Sequence, residues 1–187
     1  MSQITSLLSA IGQGERNALG DLYALLYPEL RRLAHARVRR SGEMTLLDTT
    51  SLVHESYLRF AKSGAVDIGG RSQFMAYAAQ VMRSVVVDAI RRRQSERGGG
   101  AAAHIEFDEA VAEQAQLALD PRENEVLRVH ESLEELAAIN ARLVQVVEMR
   151  YFAGMTEPEI ADVLGLTVRT VARDWEKARL FLHASLS

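Results

Sequence analysis

Three hydroxyl side chains stand in a row at Thr49, Thr50 and Ser51, at the head of the segment LDTTSLVHESYLRF over residues 47–60, with Asp48 the one charge in front of them. Such residues compete with the backbone for hydrogen bonds and are mediocre helix formers, so three together at a helix start ask for a reason. Two chemistries suit them. One is N-capping, for which a single side chain suffices. The other is accepting a phosphoryl group from a kinase, which adds about −1.5 to −2 charges and three acceptor oxygens. A second set lies near the C-terminus, where Arg169, Arg173 and Lys177 recur four apart, with Thr170 beside the first. That spacing lines one side of a helix. Basic side chains so placed reach phosphate oxygens or guanine edges, and the plainer alternative is a solvated charged face.

Other chemistries lack their residues. The five histidines, His35, His54, His104, His130 and His183, are scattered without metal-ligand spacing, and HESYL lacks the second histidine of a zinc-protease helix. Neither a phosphate-cradling glycine loop nor a nucleophile elbow is present. The sequence therefore predicts no enzyme, no metal site and no cofactor.

The basic stripe near the C-terminus gains meaning from the residues before it. In EMRYFAGMTEPEIADVLGLTVRTVARDWEKARLFL, Thr156 and Glu159 have capping-box spacing and Pro158 falls in the first turn. Ile160, Ala161 and Leu164 give a short helix its inner face, Gly165 allows a tight turn, and Thr167 caps a second helix. Val168, Val171, Trp175, Ala178 and Leu182 form the inner stripe of that second helix. A small residue where two helices cross, a glycine at the turn and an apolar residue beneath both are the demands of a helix-turn-helix. Trp175, lying on the stripe, is expected in the core.

The elements that carry these residues read as all-α, with no convincing alternating strand. Ala18, Leu22, Leu25, Leu26, Leu30 and Leu33 mark one helix, ended by Gly42. A second is expected from about Thr45 to Lys62, with Leu46, Val53, Tyr57 and Phe60 inward. After the loop SGAVDIGGR, a third runs from about Ser72 to Arg97 with Phe74, Tyr77, Ala78, Val81, Val85 and Ile90 on its stripe, stopped by Gly98, Gly99 and Gly100. Residues 98–120 are rich in glycine, small residues and acid and read as a linker. Two helical domains are thus expected, at 1–97 and 121–187.

At 187 residues, 48% of them hydrophobic and 25% charged, the chain has material for a substantial core. No apolar run is long enough to cross a bilayer and no basic-then-apolar leader opens the chain. The absence of cysteine points to a reducing, cytoplasmic setting. The net charge of −3 hides segregation: Arg31, Arg32, Arg37, Arg39 and Arg40 form one basic run and Arg91, Arg92, Arg93 and Arg97 another, while Glu106, Asp108, Glu109 and Glu113 are acidic. Arginines closing the third helix also complement its dipole.

With these residues in view, the chain resembles the extracytoplasmic-function sigma factors of bacterial RNA polymerase. RYFAGMTEPEIADVLGLTVRTV is similar to their fourth domain, FMAYAAQVMRSVVVDAIRRRQ to the helix joining regions 2.3 and 2.4, and LYPELRRLAHARVRR and TSLVHESYLRFAK to regions 2.1 and 2.2. The resemblance spans most of the chain, with its motifs in order. It implies a sigma domain two at 1–97 and a sigma domain four at 121–187. Core RNA polymerase, through its β′ clamp helices and β flap, and promoter DNA would be the partners, with no membrane. Asp48, Thr50, His54 and Glu55 would face the clamp. Thr167, Arg169, Thr170, Arg173 and Lys177 would read the −35 element. Arg71, Arg83, Arg91 and Arg92 would hold the −10 strand. Phe74 and Tyr77 would stack on bases or pack in the core, and the acidic linker would thread the polymerase channel or serve as a solvated tether.

The three hydroxyls fall at a departure from the family pattern. Members carry an acidic Asp-Ala-Glu-Asp stretch at the start of region 2.2, where this chain has Asp48-Thr49-Thr50-Ser51. The chain resembles a subgroup lacking that stretch and activated by a partner Ser/Thr kinase. A phosphate there, near a helix N-terminus, would restore the missing charge. Thr50, in the place of the Glu, is the first candidate, with Thr49 and Ser51 in reserve. One or two charge-assisted hydrogen bonds would change docking by roughly tenfold to a few hundredfold. The competing reading is a helix-turn-helix transcriptional regulator with an N-terminal helical sensing domain.

Overall fold

The computed structural model describes residues 3–15, 17–40, 48–63, 68–97 and 121–187. The expected linker at 98–120 with its four acids, and Gly42, Thr45 and Leu46, lie outside the described residues. Among the described residues the chain is all-helical: α1 Gln3–Gly12, α2 Ala18–Arg40, α3 Thr49–Ser63, α4 Arg71–Arg97, α5 Pro121–Val147, a π-helical turn Glu148–Phe152, α6 Glu157–Leu164 and α7 Val168–Leu186. No helix is long and apolar enough to cross a membrane, among the described residues.

The first four helices share one core. Leu22, Leu30, Leu52, Phe74, Met82 and Ile90 are fully withdrawn from water there, as the three-and-four spacing of apolar residues predicts. An aromatic cluster joins α2, α3 and α4: the Tyr23 ring meets those of Tyr57, Phe60 and Phe74 edge-on, and Phe60 meets Tyr77 at 5.2 Å. Burial pushes the Tyr23 phenol up to about 12. Arg59 of α3 binds Ser84 at 2.8 Å and Asp88 at 2.6 Å on α4. An additional helix, α1, precedes the first one expected. Its Ile4, Leu7, Leu8 and Ile11 carry the same periodicity and pack on this core.

The C-terminal helices are built around α5 and α7, which run in opposite directions. Arg128 donates to the Leu186 carbonyl, and Arg142 meets Asp174 further along. Helix α5 is broken at Asn140 (φ −160°, ψ 99°), whose side-chain oxygen accepts the Arg142 N–H at 3.1 Å and so caps the second half. Leu133, Leu136, Leu143, Val144, Val147 and Ala178 form one cluster, with Val146, Met149, Ile160, Ala161 and Val171 in a second.

These two groups of helices also touch. Val126, Leu127, Phe152 and Ala153 pack against the core of α1–α4, and Ala76 of α4 packs among the residues around Ile160 and Val171.

Three expectations need correction. Leu25 is exposed rather than inward, because α2 contacts its neighbours along a narrower strip than its apolar residues cover. Val168 is exposed as well, since the first turn of α7 projects past the packed surface. Helix α3 begins at Thr49, not near Thr45, because Asp48 is non-helical and caps it.

Candidate nucleic-acid and polymerase interfaces

The helix-turn-helix follows from local chemistry. Thr156 sits in extended backbone at the N-cap of α6, and its N–H and hydroxyl both donate to the Glu159 carboxylate, at 2.8 Å and 2.7 Å. Those bonds, the backbone one first, hold the Glu159 carboxyl below its usual value. Pro158 lies in the first turn, where no N–H is needed. Gly165 ends the helix at φ 64°, its N–H returning to the carbonyls of Ala161 and Asp162. Thr167 then caps α7, its hydroxyl accepting the Thr170 N–H at 3.2 Å. Ile160 and Val171 are wholly buried where the helices meet, beside Ala161.

This packing presents the outer face of α7. Thr167, Arg169, Arg173 and Lys177 are exposed and Thr170 is half-buried. The same packing draws Asp174 inward, onto Arg142 of α5. Trp175 is half-buried between the two C-terminal clusters, and the Arg150 guanidinium lies 4.8 Å above its ring. Arg150 also pairs with Glu157. Those two contacts tie the π-turn to both helices of the motif.

At the opposite end of the chain, the Asp48 carboxylate accepts the Ser51 N–H at 2.7 Å, with the Ser51 hydroxyl and the Thr50 N–H adding to it. The Ser51 N–H is the largest of these in keeping the Asp48 carboxyl below its usual range. Asp48 is therefore the N-cap of α3. Thr50 is exposed in the first turn, whereas Thr49 and Ser51 are half-buried, and His54 and Glu55 are exposed one turn on.

The arginines of α4 are not equivalent. Arg91 and Arg92 are exposed, and Arg71 is exposed but paired with Glu29 at 2.8 Å. Arg83 is drawn in. Its side chain is 12% exposed, lies 2.7 Å from Glu148 of the π-turn and 3.8 Å from Glu134, and donates to His130 Nδ1 at 2.5 Å. An arginine only donates, so Nδ1 accepts and His130 is neutral. Burial, and then the Arg83 charge, depress the His130 pKa below its ordinary value. Arg93 meets Glu123 at 3.0 Å, and that carboxylate is fully buried. Phe74 is core, and Tyr77 packs on Phe60 with its hydroxyl 3.3 Å from Ser63. Glu123, His130, Glu134 and Glu148 gave no local signal in the sequence, because nothing near them in the chain announces a partner on α4.

Among curated proteins no relative matches the chain. A family profile described as ECF sigma factor matches residues 1–187, which sets aside the reading as a regulator with a sensing domain. That match, over a chain whose C-terminal helices form a capped helix-turn-helix with a basic outer face, places it among proteins that are transcription factors and not enzymes: the chain belongs to the extracytoplasmic-function (ECF) sigma factors, which direct RNA polymerase to promoters.

Proposed function

We propose that this sigma factor docks on core polymerase through the start of α3, and that phosphorylation of Thr50 by a Ser/Thr protein kinase switches docking on. Residues 1–97 then act as the module that binds the β′ clamp helices and melts the −10 element, with Asp48, His54 and Glu55 beside the switch. Arg71, Arg83, Arg91 and Arg92 hold the separated strand. Residues 121–187 bind the β flap and read the −35 element through Thr167, Arg169, Thr170, Arg173 and Lys177. Residues 98–120 are the tether, and the protein works in the cytoplasm.

The observation that carries the switch is the cap. Asp48 already takes the Ser51 N–H, with the Ser51 hydroxyl and the Thr50 N–H beside it, so the cap is made without the Thr50 hydroxyl. Thr50 is the exposed one of the three. A phosphate on it would sit by the N–H groups of the first turn of α3, where helix geometry favours an anion, and beside Asp48 would rebuild a doubly acidic surface.

The test is run-off transcription with core polymerase and a promoter library. Thr50→Glu is expected to transcribe without kinase, while Thr50→Ala resists activation. Full activity of Thr50→Ala in cells would dispose of the switch and leave the sigma assignment intact.

A further inference from the structure

The first turn of α7 carries one side chain that neither its cap nor its core uses. Val168 is apolar and β-branched, yet it is 44% exposed and belongs to none of the apolar clusters that hold α7 against α5 and α6. The cap beside it is complete without it. Thr167 accepts the Thr170 N–H at 3.2 Å, and the two threonine hydroxyls hydrogen-bond to each other at 2.9 Å. The polar groups at the head of the helix thus answer one another, while Val168 and Arg169 stand exposed between them. Four residues on from Val168, the half-buried Ala172 continues the same row, and Arg169 and Arg173 run beside it, both exposed. An apolar row and a basic row therefore lie side by side on the outer face of α7.

We propose that Val168 is a specificity-determining residue of this sigma factor, its isopropyl group taking the methyl group of a thymine in the −35 element. The promoter accordingly carries an A·T pair where it meets the first turn of α7, next to the base or phosphate contacts of the basic row. The inference rests on the reading of α7 as the −35 helix, and adds to it an apolar contact that the charged residues cannot make.

The physical basis is the chemistry of the major groove. Thymine alone presents an apolar methyl on its edge there, and an apolar side chain withdraws that methyl from water. The N-terminal residues of a recognition helix are the ones that contact base edges. Cytosine offers an amino donor in place of the methyl, and an isopropyl group cannot accept from it, so a C·G pair at this position gives up a hydrogen bond to water with nothing in return. A lone exposed valine elsewhere on the surface would carry no meaning. This one stands between the Thr167 cap and Arg169, on the turn that leads the basic face. Helix formation does not account for it either, since valine is a poorer helix former than alanine or lysine at an exposed position.

The test is a methyl deletion in the DNA. Holoenzyme is assembled from core polymerase and a form of the chain that transcribes in the run-off assay. Each thymine of the −35 element, on either strand, is replaced in turn by deoxyuridine, which removes only the methyl. Binding by the parent chain is expected to weaken at one position by roughly three- to fivefold, the worth of one methyl withdrawn from water. Val168→Ala should bind the thymine duplex about as weakly as the parent binds the deoxyuridine one, and should no longer distinguish the two. A merely structural defect in that variant would weaken both duplexes alike and keep their ratio, so the ratio decides. Equal binding of both duplexes by the parent at every position would overturn the proposal, as would a Val168→Ala chain that keeps the full penalty, or a −35 element without an A·T pair. Scrambling the whole −35 element is run alongside. Indifference to scrambling removes the reading of α7 and this inference with it, whereas sensitivity to scrambling with no response to deoxyuridine overturns this inference alone.

Discussion

Asp174 lies in the middle of α7, the helix whose outer face carries Arg169, Arg173 and Lys177, yet its carboxylate is 1% exposed and accepts from Arg142 Nε at 2.7 Å. The link runs back to the break at Asn140, which caps the turn holding Arg142. Arg142→Ala leaves the buried carboxylate with only the mostly exposed Arg173, whose Nε is 3.9 Å away. The expected loss lies at the lower end of ~3–5 kcal/mol, because Arg142 is itself partly exposed. Chemical denaturation measures it. A loss of under about 1 kcal/mol, as for a surface pair, would show that water compensates Asp174 instead.

Gly165 separates the two helices of the motif at φ 64°, with nothing within 4 Å of an added Cβ. Gly165→Ala therefore meets no neighbour and pays only for the left-handed backbone. A destabilisation of about 1–2 kcal/mol is expected, read as a drop in thermal midpoint. An unchanged midpoint would mean the turn can relax to negative φ.

The outer face of α7 should act on DNA through charge. Arg169→Ala, Arg173→Ala and Lys177→Ala, assayed as polymerase holoenzyme on a promoter, are each expected to weaken binding. Any that contacts a phosphate should lower the slope of log affinity against log salt by about one. Arg179→Ala on the same helix is the control, since Arg179 pairs with Glu176 at 2.9 Å away from that row. Equal effects from all four variants would argue for a general field and against a reading face.

Acid should loosen the contact between α4 and the C-terminal helices. His130 faces Arg83 and Arg91 of α4, with Glu131 and Glu134 on its own helix and Glu148 across from Arg83. Its pKa in the closed arrangement lies below the ordinary 6.5. Above that value the ring is uncharged whether the surfaces meet or part. Below it, the separated form takes up the proton first, so falling pH favours separation until the closed form is protonated as well. The distance between spin labels on Lys62→Cys of α3 and Ala184→Cys of α7, both exposed positions, is expected to grow over that window, and His130→Gln should flatten the response. A parent profile identical to that of His130→Gln would refute the link.

Local instructions were legible in the chain itself. The capping box at Thr156 and Glu159, the turn at Gly165 and the Thr167 cap are each written within four residues, and the structure forms all of them. Phe74 was ambiguous between base stacking and core because one periodicity serves both, and packing against Tyr23 and Phe60 resolved it as core. Periodicity also overreached at Leu25 and Val168, since a stripe records which residues are apolar and not how far a neighbour extends. Asp48 is subtler. The resemblance makes it a docking charge, and in the structure it is also the cap of α3.

Sequence alone determined the capping box of α6, the Thr167 cap and the basic face of α7, because those depend on residues within a turn or two of each other. Which charges meet was decided by the tertiary structure: Arg83 with Glu148 and Arg142 with Asp174 are joined across 65 and 32 positions of chain. A carboxylate's neighbours in space follow from how whole helices pack, and packing depends on the summed shape of many side chains instead of any short run of them.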